Sequence, residues 1–316
     1  MYNRDELLVK IAVMFYEEDR TKTDIARELG ISRPTVNSLL AEAKEERIVE
    51  IRIQHPDKIT LDKKRKLSAV FTHTKIHIVS TNGNINNPKE AVGELGARLL
   101  EAKLPSVSSI GLGWGTSLRA VIDAFSYNNN PQLSVIPMIG GAGFFDIEIH
   151  SNLLAFRLAQ KQNCRAEYLY APAVADSLED KEAFIRSELV RTILTKAKKV
   201  DIAVVGIGNP FTNKNYLDLG YLSNGDLKDL NREGACGDIL TTFFDKDMHA
   251  TESPIANKMI GLSLSDLKNI GCVFAVASDK EKALPTTALL KHEVLDEIVI
   301  SESLADEIAK INDIEF

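Results

Sequence analysis

Cysteine is scarce in this 316-residue chain, and its spacing excludes two kinds of stabilising site. The three cysteines, Cys164, Cys236 and Cys272, are far apart and form no C-x-x-C pair. A disulfide framework or a cysteine-rich zinc site needs paired or closely spaced cysteines. The sequence therefore predicts neither a disulfide nor a metal site. Cysteine usage of this kind is typical of a reducing cytoplasm, where we expect the protein to act.

Long apolar runs and an excess of positive charge are also absent. No stretch approaches the ~18 consecutive apolar residues that a membrane span needs. Asp5 and Glu6 stand where a signal peptide would be basic, so we expect neither a span nor a leader. The net charge is −7. A function in nucleic-acid binding would therefore depend on a local surface rather than on the charge of the whole chain.

Length and pattern predict two domains, residues 1–56 and 57–316. Apolar residues at helical spacing predict three N-terminal helices, over 5–17, over 23–29 and from Ser32 to about Glu46. An alternating segment, Val49–Ile53, predicts a short strand before the breaker His55-Pro56. A charged helix over 57–71 then leads into the second domain.

From Lys75 onward the pattern changes to strands that alternate with helices, which predicts a doubly wound, mainly parallel α/β domain. The predicted strands are Ile76–Val79, Ile110–Gly113, Leu133–Ile139, Ala166–Leu169, Ile202–Ile207, Ile239–Phe244, Val273–Ala277 and Glu297–Ile300. The predicted helices are 89–102, 116–125, 150–162, 179–198, 225–231, 280–290 and 303–311.

The segment from Lys22 to Lys44 has the spacing of a helix-turn-helix. Ala26 is small where two helices cross, Gly30 turns the chain, and Val36 and Leu39 face back into the core. The outward positions carry residue types that contact phosphates and base edges. The DNA-binding candidates are Thr23, Ser32, Arg33, Thr35, Asn37, Ser38 and Lys44.

Two observations leave alternatives open for this segment. Residues 1–60 carry ten Lys/Arg against twelve Asp/Glu, so a helical hairpin used only for packing is one alternative. DNA binding by such a module requires concentrated phosphate contacts and favours an oligomer that combines several weak modules. The basic cluster over 63–66 is either an additional DNA contact or a solvated helix face.

A glycine-rich segment, Ile110–Ser117, carries the clearest chemical signal of the second domain. It reads as a strand that runs through Gly113 and Gly115 into a helix, an arrangement that binds anions with free backbone N–H groups. Thr116 and Ser117 add hydroxyls, but the segment lacks the lysine of a Walker A loop and the G-x-G-x-x-G of a dinucleotide site. We expect a phosphate cradle and no nucleotide cofactor; a purely structural glycine turn is the alternative.

Two more glycine turns follow predicted strands, over 139–143 and 206–209. The carboxyl ends of parallel strands open on one edge of a sheet, so we expect the three turns to converge on a ligand. Polar residues suited to a polyol lie nearby, each of which could equally be an ordinary surface residue. They are Asp146, Glu148, His150, Asn152, Asp176, Asp238, Lys282 and Lys291.

Taken together, these motifs resemble the SorC (SorC/DeoR) family of sugar-responsive bacterial transcriptional regulators. The resemblance covers essentially the whole chain and rests on a set of motifs in a fixed order. The motifs are Leu8–Ala12 with Phe15-Tyr16, Asp24–Arg33, Gly113–Thr116, Pro137–Gly141, Val205–Gly208 and Gly237–Ile239.

The resemblance implies a C-terminal domain related in fold to sugar-phosphate isomerases that acts as a sensor and not as an enzyme. It also implies homotetramers, built as paired dimers, on operator DNA, with a sugar, polyol or sugar phosphate as effector. The effector-binding residues that it implies, together with those of the glycine turns, are Gly113, Trp114, Gly115, Thr116, Ser117, Gly140, Gly141, Asn152, Gly206, Gly208, Asp238, Lys282 and Lys291.

One departure from the family pattern narrows the effector. Relatives that hold deoxyribose phosphate as a Schiff base have a lysine directly before the double glycine, where this chain has Ile139. We therefore expect no imine at that position, and a likeness to the sorbose-type members. Two alternatives remain: a sugar-phosphate isomerase-like enzyme using Asp146, His150 and Asp238, and a scaffold whose second domain only oligomerises.

Overall fold

The computed structural model describes residues 4–46, 48–49, 58–80, 87–141, 147–212, 215–218, 220 and 222–316. The chain divides into two compact units, Met1–His55 and Pro56–Phe316. Of the predicted strand Val49–Ile53, only Val49 lies within the described residues, and Asp146 and Gly143 lie outside them.

The first unit contains three helices, α1 (Arg4–Tyr16), α2 (Lys22–Leu29) and α3 (Arg33–Glu45). The Thr21 side chain caps α2 and the Ser32 side chain caps α3, each by accepting a backbone N–H of the first turn. Gly30 ends α2 in the left-handed conformation (φ 65°) that favours glycine. The apolar stripes meet in one small core that includes Ile11, Ile25 and Val36.

The second unit is built on a seven-stranded parallel sheet with the strand order β1-β9-β8-β5-β2-β3-β4. The strands are β1 (Lys75–Val79), β2 (Ser109–Leu112), β3 (Ser134–Pro137), β4 (Arg165–Ala166), β5 (Ile202–Gly206), β8 (Val273–Ala277) and β9 (Glu297–Ser301). Two further strands, β6 (Gly237–Ile239) and β7 (Thr242–Phe244), form a separate antiparallel hairpin.

Helices cover both faces of the sheet. They are α4 (Lys58–Val70), α5 (Pro88–Glu101), α6 (Thr116–Ala124), α7 (Ser151–Gln162), α8 (Leu178–Arg186), α9 (Glu188–Ala197), α10 (Asn215–Asp218), α11 (Asn224–Arg232), α12 (Leu264–Leu267), α13 (Ala283–Lys291) and α14 (Glu302–Ile311). No helix among the described residues has the length and apolar character to cross a membrane.

The two cores of this unit follow from the alternation of side chains along the strands. In β5, Ile202 and Val204 face a core with α5, α6 and α7, whereas Ala203 and Val205 face a core with α4, α9, α13 and α14. Strands buried on both faces contain continuous apolar runs, as expected for a parallel sheet covered by helices. Full burial of each large aliphatic side chain contributes about 1.5–3 kcal/mol.

Three predicted elements differ from the structure. The segment Ile239–Phe244 is not a strand of the main sheet; it forms most of the β6–β7 hairpin, because Leu240 takes a positive φ of 51° and reverses the chain. The predicted strand Ala166–Leu169 is reduced to β4, in which Arg165 and Ala166 lie in register with Ser134 and Val135 of β3. The predicted helix over 179–198 is two helices, since Ser187 is extended (φ −58°, ψ 132°) between α8 and α9.

Candidate functional site

A cavity opens at the carboxyl ends of β2 and β5, the two central strands of the sheet. From β2 the chain continues to β3 and β4 on one side and then returns to β5 on the other. A crevice forms where the direction of winding reverses, and ligands of open α/β sheets bind there. The topology alone therefore places a binding site between these two strand ends.

The cavity encloses about 520 Å³, including the space at its mouth. Segments from five elements or loops contribute to it: the turn after β2, the turn after β5, α10, the β6–β7 hairpin and the turn before α13. The lining residues are Trp114, Gly115, Thr116, Ser117, Gly206, Ile207, Gly208, Tyr216, Asp238, Leu240 and Lys282.

The N-terminus of α6 faces this cavity. Gly115 occupies the cap position with φ 112° and ψ 169°, a conformation open essentially to glycine alone, and no side chain caps the helix. Because the first N–H groups of a helix have no intrahelical acceptor, they can bind an anion, assisted by the helix dipole. The Ser117 hydroxyl is buried there with no hydrogen-bond partner among the described residues.

Asp238, at the centre of β6, also lines the cavity. One carboxylate oxygen accepts a hydrogen bond from the Tyr216 hydroxyl, and the other is buried without a partner in the described chain. Burial raises the pKa of Asp238 to about 6, although the Tyr216 hydrogen bond and the charge of Lys282 act in the opposite direction. A Cβ at Gly208 would stand 2.1 Å from this carboxylate, so the turn after β5 needs glycine there. The unpartnered oxygen is suited to accept a ligand hydroxyl.

Two lysines bring positive charge to the same region. The buried Lys282 lines the cavity and its amine lies 3.1 Å from a carboxylate oxygen of Asp279. The half-buried Lys89 of α5 donates a hydrogen bond to the Thr116 hydroxyl over 3.0 Å. Burial opposes ionisation of Asp279, but the charges of Lys282 and Lys89 help to hold its pKa below the usual value. Cations beside an uncapped helix N-terminus favour an anionic ligand group.

Of the thirteen residues expected to bind the effector, eight line this cavity, and five lie outside the set that lines it. Gly113 continues β2, with its N–H bonded to the Val204 carbonyl oxygen. The Gly140 and Gly141 N–H groups bond the carbonyl oxygens of Ile260 and Ala171, so these two donors are already used within the backbone.

Asn152 and Lys291 are the other two residues outside the lining. The Asn152 amide accepts the Leu169 N–H and donates to the Leu169 carbonyl oxygen, a pairing that fixes the chain after β4. Lys291 is exposed in the last turn of α13. Of the three predicted glycine turns, those after β2 and β5 contribute lining residues to the cavity, whereas Ile139, Gly140 and Gly141, the described part of the turn after β3, do not.

The remaining polar candidates have other surroundings. Glu148 is exposed and pairs with Arg119 and Arg157 at 2.8 and 3.5 Å. Asp176 is exposed, and His150 is buried just before α7. Ile139 is completely buried in a cluster that contains Tyr216 and Phe243, so its side chain belongs to the support of the site.

Four residues of the site were not anticipated from the sequence. Tyr216 holds Asp238, Leu240 and Ile207 complete the apolar wall, and Lys89 contacts Thr116. No local motif marks Tyr216, Leu240 or Lys89, because these residues reach the cavity from separate elements, whereas Ile207 lies within the glycine turn after β5. Only the Asp238 to Leu240 spacing of a tight hairpin could have suggested that Leu240 lies beside Asp238.

In the first unit, α3 presents an exposed polar face. Ser32, Arg33, Thr35, Asn37 and Ser38 are exposed, as are Thr23 and Lys44, whereas Val36 and Leu39 are buried. Asn37 accepts a hydrogen bond from Lys22 over 2.6 Å, and the Lys44 amine lies 5.9 Å from the centre of the Tyr16 ring. Arg33 has no ion-pair partner within the described residues, unlike Arg4, which pairs with Glu42 at 2.6 Å.

The basic cluster over 63–66 is largely neutralised within the second unit. The Lys63 amine contacts Glu302 and Asp306 of α14 at 2.8 and 2.6 Å. Arg65 and Lys66 both pair with Asp62, at 2.7 and 3.0 Å. Lys63 is thus a packing residue of α4.

Asp245, Asp247 and His249 bring three potential metal-ligand atoms together, the one such group found among the described residues. Asp247 and His249 are exposed, and the Asp245 carboxylate already accepts the backbone N–H groups of both. These hydrogen bonds explain the conformation of the loop after β7, and no bound ion is needed to explain it.

Comparison with known proteins agrees with this geometry. Residues 58–310 match the Sugar-bind family, described as a "Putative sugar-binding domain". The chain is 27% identical to the sorbitol operon regulator of Klebsiella pneumoniae over 98% of this chain and 100% of that protein. It is 25% identical to the deoxyribonucleoside regulator of Bacillus subtilis, over 98% and 99% of the two chains.

Solved structures give the same result. A DeoR family transcriptional regulator from Listeria monocytogenes is 30% identical, with a TM-score of 0.75 over 79% of this chain and 100% of that one. Full-length SorC from Klebsiella pneumoniae is 26% identical, with a TM-score of 0.81 over 97% and 99% of the two chains. The chain belongs to the sugar-binding SorC/DeoR family of transcriptional regulators.

Proposed function

We propose that this protein regulates transcription of a carbohydrate-utilisation operon from the cytoplasm, with α3 reading operator DNA and the cavity between β2 and β5 binding the effector. The effector is a sugar, a polyol or a sugar phosphate. The lining residues of the cavity act in binding alone, and the protein is a sensor without catalytic turnover.

One observation supports this effector class above all others: the residues that line the cavity include both an anion site and a hydroxyl acceptor. The uncapped N-terminus of α6, with Ser117 and Lys282, suits a phosphate or another anionic group. The free oxygen of Asp238 suits a hydroxyl donor. A polyhydroxylated molecule with one anionic end satisfies both kinds of group at once, and a sugar phosphate fits this description.

Titration of the full-length protein with sugars, polyols and their phosphates tests the effector site. Trp114 is the single tryptophan and lines the cavity, in edge-to-face contact with Tyr216 (5.3 Å between ring centres), so its emission reports occupancy. We expect Lys282→Met to weaken a phosphorylated effector at least tenfold, a loss of about 1.4 kcal/mol. The matched control, Lys291→Met on the same segment, should bind as the unmodified protein does.

Equal losses of effector affinity in the two lysine variants would contradict this site. Saturable effector binding that leaves Trp114 emission unchanged would contradict it as well. The isomerase-like alternative makes a different prediction. It requires turnover of a bound sugar phosphate, which mass analysis of the ligand after prolonged incubation would detect.

DNA reading is proposed for the exposed face of α3, with Thr23, Ser32, Arg33, Thr35, Asn37, Ser38 and Lys44 as the contact residues. Arg33, for which no ion-pair partner is found among the described residues, is the sharpest probe. Arg33→Ala should weaken operator binding by about 1–3 kcal/mol, with relaxed specificity if Arg33 pairs with guanine. Arg232→Ala, which removes an exposed arginine of the second unit, is the control, and equal affinity of the two variants would argue against α3.

For the response itself, we propose that effector binding favours one arrangement of the subunits of a homotetramer over another. The spacing of the DNA-binding units then matches or fails to match the operator half-sites. The effector can act only through unequal affinity for the two arrangements.

A further inference from the structure

An exposed surface at the open edge of the sheet takes no part in the cavity. Beside β4, one groove of about 540 Å³ runs along α7 and another of about 800 Å³ runs along α9, and Tyr168 lines both. We call this surface the edge face; its principal side chains are Phe156, Tyr168, Tyr170, Glu188, Leu189 and Lys196.

The backbone at the edge face has unused hydrogen-bonding capacity. The N–H groups of Arg165 and Glu167 bond the carbonyl oxygens of Leu133 and Val135 in the neighbouring segment. The backbone N–H groups of Ala166 and Tyr168 alternate with these two and point away from the neighbouring segment. They have no partner within the described chain. A bare sheet edge of this kind is a template for pairing with a further strand.

Large apolar side chains surround this bare edge. Tyr170 is 67% exposed, Leu189 is 68% exposed and Phe156 is 39% exposed. The Tyr168 and Tyr170 rings stack with 6.2 Å between their centres, so they present one continuous aromatic surface. Contiguous apolar patches next to polar residues mark protein interaction sites, and tyrosines are enriched in such contacts.

The charges of α9 identify the occupant. Glu188 stands at the start of the helix and Lys196 at its end, with Leu189 and Thr192 between them on the same side. Glu188 has no ion-pair partner among the described residues, and Lys196 pairs with Glu167 at 2.7 Å. Two such helices packed antiparallel about a two-fold axis bring each Glu188 against the partner's Lys196. The pattern is complementary to itself, as the two sides of a two-fold interface must be.

We propose that the edge face is a two-fold contact between two copies of this chain, with their α9 helices antiparallel. The bare edges and tyrosines of the two copies lie beside the helix pair and extend the same contact. This inference rests on the proposal that the protein works as an oligomer, and it assigns that oligomer a surface that the effector site and α3 do not use.

The mass of the full-length protein in solution tests the contact, by sedimentation or by light scattering after size-exclusion chromatography. Leu189→Glu places a charge at the centre of the face on a side chain that is already exposed, so folding should be unaffected. We expect the mass of the assembly to halve. Leu61→Glu, at a 49% exposed leucine of α4, which packs beside β1 at the opposite edge of the sheet, is the control and should leave the mass unchanged.

Charge reversal tests the antiparallel arrangement separately. Glu188→Lys and Lys196→Glu each place like charges in apposition and should raise the dissociation constant of the assembly about tenfold. The double variant E188K/K196E restores opposite charges and should recover most of the loss. An unmodified protein that is monomeric, an unchanged mass in Leu189→Glu, or a double variant as weak as the sum of the singles would each overturn the proposal.

These outcomes are distinguishable from failure of the proposed function. Emission of Trp114 on effector addition reports the cavity in every variant, whatever its mass. A dissociated Leu189→Glu variant that still binds effector supports the edge face and the cavity independently. A variant of unchanged mass that has lost effector binding argues against the edge face.

Discussion

At the scale of single residues, the buried Asp238 carboxylate makes stability depend on pH. Burial raises its pKa to about 6, against about 3.9 in an unfolded chain. Because the folded-state pKa is the higher one, the contribution of this group to stability is complete below about pH 4 and is lost as the pH rises through 6. The total loss is about 3 kcal/mol, at 1.4 kcal/mol per pKa unit.

Asp238→Asn should therefore stabilise the effector-free protein at pH 7 to 8 by up to about 3 kcal/mol, while it weakens effector binding. Its advantage over the unmodified protein should grow by about 1 kcal/mol between pH 5 and 7. Denaturant unfolding followed by Trp114 emission measures the gain in stability at pH 7 to 8 and its change between pH 5 and 7. An advantage that stays constant across this range would show that Asp238 does not titrate there.

Gly115 gives a second prediction at this scale. Its φ of 112° is open to glycine, and a Cβ there would have no neighbour within 4 Å, so Gly115→Ala brings strain without a clash. We expect a loss of about 1–3 kcal/mol in unfolding free energy and a marked loss of effector affinity, because the α6 N-terminus shifts. Gly234→Ala, at φ 78° after α11 with equally open space, should cost stability but leave effector affinity unchanged.

The same residues show how far sequence reasoning reaches. Gly115, Ser117, Asp238 and Lys282 were identifiable because strand-turn-helix chemistry and family motifs mark them. The sequence could not show that Gly140 lies outside the cavity lining, since a glycine turn after a strand has the same pattern whether its N–H groups face a ligand or the carbonyl oxygens of a neighbouring loop. Tyr216 was missed because its contact with Asp238 spans an irregular segment that no periodicity describes.

At the scale of elements, a largely buried ion cluster adds to the apolar contacts of Leu67 in holding α4 within the second unit. The Lys63 side chain is 12% exposed and contacts Glu302, which is 8% exposed, and Asp306. Lys63→Met removes the ammonium group that contacts the largely buried Glu302 carboxylate, so we expect a loss of about 3 kcal/mol in unfolding free energy.

Lys66→Met is the matched control, on the same helix, where the Asp62 pair is a third or more exposed on both sides. Exposed pairs at this spacing contribute about 0.3–0.5 kcal/mol. Similar losses in the two variants would mean that the α4 contact is not governed by the buried carboxylate. Limited proteolysis after residue 57 offers an independent readout of whether α4 stays packed.

Elements were predictable where one physical signal dominated. The central strands β5 and β8 are continuous apolar runs between helices, and the sequence places them within a residue or two. The β6–β7 hairpin was not, because its reversal depends on a positive φ at Leu240, a residue type that gives no turn signal. The break between α8 and α9 at Ser187 was not predictable either, because polar and apolar residues continue across it at helical spacing.

At the scale of the whole molecule, effector and operator must influence each other equally. If the effector changes operator affinity by some factor, operator DNA changes effector affinity by the same factor, since both report one coupling free energy. Couplings of this kind are about 1–3 kcal/mol, or roughly 5- to 150-fold. We expect Trp114 titrations with and without operator DNA to give the same factor as operator binding with and without saturating effector. Two tight but independent binding reactions would contradict regulation by the effector.

The Leu189→Glu variant shows whether the coupling between effector and operator depends on the edge face. A coupling that survives in this variant at halved mass would be transmitted without the edge face. Loss of the coupling with effector binding intact would assign the response to the pairing of two copies.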